Sequence, residues 1–425
     1  MKRILTILRH VAVALFVLLY VAVALCNLSI VQSWMGAAAS RYFSREWGGT
    51  VRIASVHVTP LGHVKLRGIL LVSPTSDTIF DGESIYCHFD RFPVDGEGLS
   101  FSRVRISNAS YHMAVDSNGI NLKYIFNYFA HPERPEDTTP SGPFVVHVRR
   151  LILNNIHYKQ DLRQQGHGYD YGVNIPHMDF TRIDGNFKDI RVEGYNVDCR
   201  IVRLAAEERS GFCLRDLSAD VKVSGTTIAA HNMELATDNT HLRCDAVLNY
   251  NGWESFSHNG IFDSVLFSLL LNDGSVVGLK DAAYWAPGLW GLDETVLVAG
   301  SVNGPLSLLK IDSLKLAFGQ HTRIDFDGVI DGLPHINRTA FNLNIQPSLV
   351  DPADLAAFHQ PRHPFFRLPA TLHQLGLTSV EATLRGSLQH GNADIGLRSD
   401  AGDLTVHADV AYDKMPRDLR YSALL

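Results

Sequence analysis

The sequence predicts a mainly β chain behind a single amino-terminal transmembrane helix, with only a few short helices elsewhere. Three observations predict it. The chain opens on Lys2, Arg3 and Arg9 and then carries no Asp, Glu, Lys or Arg until Arg41. From Thr50 onward, apolar and polar residues alternate in segment after segment, and period two marks strands with one apolar and one polar face. Pattern matching gives about twenty strands against four or five short helices. Regular strand–helix–strand alternation is absent, so a doubly wound fold is excluded. The strand spacing is too irregular for a strict solenoid. Two long sheets face to face, or one sheet folded over itself, remain.

The anchor comes first. The solidly apolar part runs from Val11 to Leu25 and extends through Ile30 and Val31, so residues 1–31 are assigned to it. About 20 apolar residues cross a bilayer as a helix. Basic residues ahead of the run keep that end in the cytoplasm and put the remainder on the far side. The same residues admit a signal peptide cleaved after Ala22-Val23-Ala24, or a lipid-modified Cys26. The run is longer than a usual signal core, and Leu25 is large for lipoprotein processing, so an uncleaved anchor is expected.

Residues 32–49 read as a short amphipathic helix at the outer membrane surface, with Trp34, Ala38, Tyr42 and Trp47 and a stop at Gly48-Gly49. Simple continuation of the membrane helix is the rival reading. Residues 50–130 form a first β segment, with Ile85, Cys87 and Phe89 on one side of a strand. It closes on a helix suggested by the spacing of Leu122, Ile125, Phe126 and Phe129. Residues 131–143 are polar and Pro-rich, the signature of a linker.

Residues 144–425 resume the strands. Leu242, Cys244, Ala246, Leu248 and Tyr250 share a face. A short helix in "SVVGLKDAAYWAPGLWG" stops at Pro287-Gly288. Next comes a hairpin. Leu314, Leu316 and Phe318 alternate with Lys315 and Ala317, Gly319 marks the reversal, and Ile324, Phe326, Gly328 and Ile330 alternate with Arg323, Asp325 and Asp327. Phe341, Leu343 and Ile345 continue the pattern, Asp351 caps a short helix, and Leu404, Val406, Ala408 and Val410 are in step. The last residues keep strand-like texture, as expected of the front portion of a longer protein.

Several functions find no support. The net charge of -6 is mild and the Lys and Arg are dispersed, so no nucleic-acid surface is expected. The five Cys (Cys26, Cys87, Cys199, Cys213 and Cys244) form neither a zinc framework nor a disulfide scaffold. Cys199 and Cys213 either pair across neighbouring strands or remain small core residues. "DFDGVIDG" from Asp325 lacks the acidic residues a calcium loop needs. His359 and His363 are separated by Pro361 and followed by Pro364, which breaks the helix that would align them as metal ligands. No G-x-S-x-G, H-E-x-x-H or phosphate loop occurs. No catalytic residue, metal or cofactor is therefore assigned, and an enzyme is not expected.

In the order of its features the chain resembles the AsmA-like proteins, and within them the TamB-type inner-membrane subunits of the translocation and assembly module. The resemblance rests on the basic start and membrane helix, on "VQSWMGAAASRYFSREWGGTVRIASVHVTPLGHVKLRGILL", on "NGINLKYIFNYF", and on the long segment from "LKDAAYWAPGLWG" through "DGLP". It implies a long β-sheet curled into an open groove in the periplasm. It implies phospholipid transport between inner and outer membrane, or outer-membrane protein assembly. Implied partners are phospholipid acyl chains, the inner membrane, and a TamA-like outer-membrane barrel of Omp85 type. On that reading Leu242, Leu248, Leu314, Leu316, Phe318, Ile324, Phe326, Ile330, Phe341, Leu343, Ile345, Leu404, Val406 and Val410 line the groove. Two rivals stand beside it. One is a periplasmic scaffold binding the barrel by strand addition without carrying lipid. The other is a secreted or surface β protein with a cleaved signal.

Overall fold

In a computed structural model of the protein, the described residues are 28–59, 62–91, 98–116, 119–123, 145–163, 171–252, 260–333, 339–357, 374–387, 390–411 and 420–424, with residues 10, 13, 17 and 255. They are mainly β, as the alternation predicts. The chain divides into two compact units, residues 1–194 with 199–211 and residues 195–198 with 212–425.

The first unit starts with helix α1 (Ser29–Trp47) and continues through β1 (Thr50–Val58), β2 (His63–Val72), β3 (Thr78–Arg91), β4 (Gly98–Asp116), β5 (Gly119–Ile120), β6 (Val145–Leu162), β7 (Asp179–Glu193) and most of β8 (Asn196–Glu208). β1 to β4 are an antiparallel meander. β6 then lies parallel to β4, from Gly98↔Val145 to Val115↔Leu162, and β7 is antiparallel to β6. Parallel neighbours need a crossover of a dozen or more residues. The Pro-rich residues 131–143 fall in that connection and lie outside the described residues. The register carries one apolar row through Val56, Leu66, Ile85, Ile106 and Leu153.

Helix α1 begins after Leu28, which is extended (φ -70, ψ 132), and ends at left-handed Gly48 (φ 70). It is therefore a separate helix and not a continuation of whatever precedes Leu28. Its inner side is already occupied by protein: Met35, Ala39, Phe43 and Trp47 pack on the buried Val51, Ile53 and Val56 of β1. A polar stripe runs along the same helix. Ser44 Oγ accepts the Val51 N–H at 2.8 Å, Ser40 Oγ accepts the Ile53 N–H at 2.8 Å, and Gln32 Nε2 lies 2.9 Å from His57 Nδ1. Gly36 belongs to this stripe because a Cβ there would stand 2.5 Å from the Ile53 carbonyl oxygen.

The second unit holds β9 (Cys213–Leu214), β10 (Asp216–Val223), β11 (Thr227–Ala236), β12 (His241–Asn249), helix α2 (Gly260–Asp263), β13 (Leu266–Gly278), α3 (Leu279–Ala282), β14 (Thr295–Pro305), β15 (Leu308–Phe318), β16 (Thr322–Asp331), β17 (Ala340–Val350), α4 (Pro352–Ala357), β18 (Thr378–Ser387), β19 (His390–Ser399), β20 (Gly402–Ala411) and β21 (Arg420–Leu424). From β10 onward each strand pairs antiparallel with the next. The expected helix of "SVVGLKDAAYW" shrinks to α3, because Ser275 to Gly278 complete β13; a 3-10 turn follows at Pro287–Leu289. Asp351 does cap α4, accepting the Ala353 N–H at 2.9 Å.

Several expectations fall outside the described residues: nearly all of Val11 to Leu25, Cys26, the helix carrying Ile125, Phe126 and Phe129, and His359 with His363. Among the described residues no helix is long and apolar enough to cross a membrane. Among them, too, no disulfide forms. Burial pushes the Cys87 thiol up to about 11, so it behaves as a packing residue.

Candidate functional site

The cross-strand register assembles the predicted apolar residues on one face of the second unit. One row reads Val221, Ala230, Ala246, Leu269, Val302, Ile311, Gly328, Leu343, Leu384, Ala393, Ala408, without a polar side chain from β10 to β20. Rows on the same face join Leu314 to Phe326 and Ile345, Leu316 to Ile324, and Ile330 to Phe341. Ile345 continues through Ala382 and Ile395 to Val406. Leu248 pairs with Phe267, Leu242 with Leu235, Leu404 with Leu397, and Val410 with Tyr421.

The opposite face is mixed, carrying exposed Leu266, Leu270, Leu297, Leu308 and Leu349 among polar residues. One position along, the row through Ser268, Asn303, Lys310, Val329, Asn342, Arg385, Asn392 and Asp409 is polar but for Val329. Successive side chains of a strand point to opposite faces, so this contrast is the alternation made spatial.

The apolar face is not closed over by described residues. Leu314, Leu316, Ile324, Phe326, Ile330, Phe341, Leu343 and Ile345 are all half-buried, and Leu404 is 39% exposed. Under a second sheet such side chains would be shut from water almost completely, as in the interdigitated core of a sandwich. Phe318 is the exception among the predicted residues. It is only 9% exposed and pairs with Thr322 beside the hairpin turn, so it is core and not lining.

Alternation gave no sign of a second feature, a pair of polar clamps. The turn between β15 and β16 is held by Asp354 of α4, whose carboxylate accepts the N–H groups of Gln320, His321 and Thr322 at 2.9 Å each and the Thr322 hydroxyl at 2.9 Å. Burial works against this carboxylate, but the donors outweigh it and bring its pKa to about 2. The turn between β11 and β12 is held the same way by Asp281 of α3, which accepts Asn239 N–H at 2.7 Å, Asn239 Nδ2 at 2.8 Å and the Thr237 hydroxyl. Burial again opposes, and those donors keep Asp281 below the usual range.

The two clamps match residue by residue. Ser275 and Ser348 each stand six positions before the clamping Asp. Both are buried at a bulge, where the hydroxyl accepts a neighbouring-strand amide, Arg243 for Ser275 and Asp325 for Ser348, at 3.0 Å each. Thr240 Oγ1 accepts Gly278 N–H at 3.0 Å, and Thr322 Oγ1 accepts Asp351 N–H at 3.0 Å. The stretches β11–β13–α3 and β15–β17–α4 are thus two copies of one structural unit. The connections between the matching strands differ in length, residues 250–265 in one copy and 332–339 in the other, so no fixed period appears in the sequence; the Ser-to-Asp spacing was the available signal.

His321, Asp351 and Asp354 bring potential ligand atoms within 4.8 Å of one another. Asp354 spends its oxygens on the turn amides, and His321 Nδ1 lies 3.0 Å from Asp351 Oδ2, so the protein itself supplies the partners. The "DFDGVIDG" segment is strand β16 through Asp331 and not a loop; Asp327 Oδ1 accepts Gln346 Nε2 at 2.9 Å. No family model, curated protein or solved structure matches this chain.

Proposed function

We propose that the protein is an inner-membrane-anchored, periplasmic β-sheet conduit whose apolar face forms the wall of a groove for phospholipid acyl chains moving between inner and outer membrane. The observation that carries this reading is the unbroken apolar row from Val221 to Ala408, flanked by half-buried Leu, Ile and Phe. Acyl chains need no directional partner. Each buried CH₂ contributes about 0.8 kcal/mol, so a row of aliphatic side chains holds a tail without fixing its position along the sheet. Weak positional preference is what passage requires. The apolar segment Val11–Val31 and the likeness to AsmA-like proteins support the membrane setting. On the same likeness a TamA-like barrel is the outer-membrane partner. The scaffold reading needs a free sheet edge; at β1 the Ser40 and Ser44 hydroxyls occupy the Ile53 and Val51 amides, so strand addition there would have to displace α1.

Photo-crosslinking tests the conduit. Probes at Leu314, Leu343 and Ile345 should capture phospholipid in cells, and probes at Lys310, Asn342 and Asn344 should not. Equal capture on both faces, or none on either, would end the proposal. Mass spectrometry of lipid extracted from the purified protein then identifies what the face carries.

A further inference from the structure

We infer that the outward side of α1 is a docking surface for the polar–apolar boundary of a lipid bilayer. This rests on the reading of Val11–Val31 as a membrane anchor and adds where the folded part first meets the membrane.

Four observations converge. The outward side carries Ile30, Trp34 and Tyr42, which are 81%, 65% and 55% exposed. Ile30 and Trp34, four positions apart, are neighbours on one side, and Tyr42 lies two turns on, about 80° further round the helix. Scattered exposed apolar residues are ordinary, but three large ones on the side of one helix turned from its strand are a surface.

This surface cannot turn inward to hide. Ser40, Ser44 and Gln32 are bonded to β1, and Gly36 lies against the Ile53 carbonyl. Rotating the helix to bury Trp34 would strip those amides of their acceptors and drive a side chain into the strand backbone.

The chain immediately ahead names the occupant. The apolar run Val11 to Leu25 stands just ahead of α1, and Leu28, at the start of α1, is extended. With an extended residue before it, α1 takes its direction from β1 and can lie along the surface that the anchor enters.

The chemistry of the surface is graded to match. Ile30 and Leu28, 52% exposed, stand nearest the apolar run. Trp34 and Tyr42 follow, with the amphipathic rings that favour the headgroup level. Exposed Arg41 and Arg45 flank Tyr42, suited to lipid phosphates at the level that ring favours.

The test uses the full chain reconstituted in vesicles of phosphatidylethanolamine and phosphatidylglycerol. A photo-reactive amino acid is placed at Trp34 or Tyr42 on the outer side, at Met35 on the inner side, and at Val13 as an anchor control. Phospholipid adducts at Trp34, Tyr42 and Val13, and their loss at Met35, are expected. Adducts at Val13 with none at Trp34 and Tyr42 would overturn the docking surface and leave the anchor standing. No adduct at any position would remove the anchor reading as well. Capture of a second copy or another protein through Trp34 would show that the surface serves protein contact, and adducts at Met35 equal to those at Trp34 would show that α1 is not mounted on β1; either result overturns the inference.

Discussion

The hydroxyl of Ser40 accepts the backbone N–H of Ile53 at 2.8 Å and donates to the Gly36 carbonyl at 2.7 Å, so one helix turn and one strand edge share a single oxygen. The match repeats because the pitches agree. Four helix residues rise about 6 Å and two strand residues about 6.6 Å. Ser44 therefore reaches Val51 as Ser40 reaches Ile53. Among the described residues β1 pairs with β2 alone, and the helix stands where a second neighbour strand would, one of the ways in which proteins cover an edge.

Ser40→Ala and Ser44→Ala should each cost about 1–3 kcal/mol, because each leaves a buried amide without an acceptor. Val51 and Ile53 are 5% and 7% exposed, so water does not compensate. Hydrogen exchange at these two amides is the measurement. Unchanged protection in the double variant would refute the account of the edge.

Gly36→Ala tests two opposed terms. Alanine favours a helix interior over glycine by about 1 kcal/mol. The new Cβ would lie 2.5 Å from the Ile53 oxygen, a backbone atom that cannot step aside. Overpacking costs about 1–3 kcal/mol, so net destabilisation is expected in denaturant unfolding. A stabilised variant would mean that α1 sits further from β1.

The Asp354 clamp predicts acid sensitivity of one turn. Its carboxyl is held at about 2 in the folded state, below an unfolded value of about 3.9. A depressed pKa contributes stability that is present above the unfolded value and is lost as pH falls through the folded one. The β15–β16 turn should therefore loosen between about pH 4 and pH 2, read by NMR at Gln320, His321 and Thr322. Asp354→Asn should cost about 2 kcal/mol at neutral pH and abolish the transition.

Equivalence of the two clamps predicts equivalent losses. Ser275→Ala and Ser348→Ala should each cost about 1–3 kcal/mol and agree within about 1 kcal/mol. Thermal unfolding of both variants checks this. A large loss at one site with none at the other would reduce the repeat to coincidence.

Phe326→Asp separates an open face from a closed core. On a half-exposed face the new carboxylate finds water, so the variant should stay folded and purify without lipid. Val265→Asp is the contrast: Val265 is 0% exposed, and an unpaired buried charge costs several kcal/mol. Unfolding of both variants to the same degree would contradict the open face.

Much of this protein is legible in one dimension. Leu314, Leu316, Ile324 and Phe326 could be assigned to one face directly, because a strand repeats every two residues and its hairpin partner is close in sequence. The Asp351 cap was legible for the same reason: its amide lies two residues away. What needed the folded chain was everything joining distant residues. The parallel pairing of β4 with β6 joins strands on either side of a long connection. Asp354 reaches an amide 34 positions back in the chain, and Ser40 finds β1 only once the helix has packed. A backbone amide bonds whatever acceptor is brought to it, and its own side chain carries no mark of which one. The alternation decides which side of each strand is apolar; only the three-dimensional arrangement decides that α1, Asp281 and Asp354 serve the backbone and that the apolar side is left half open.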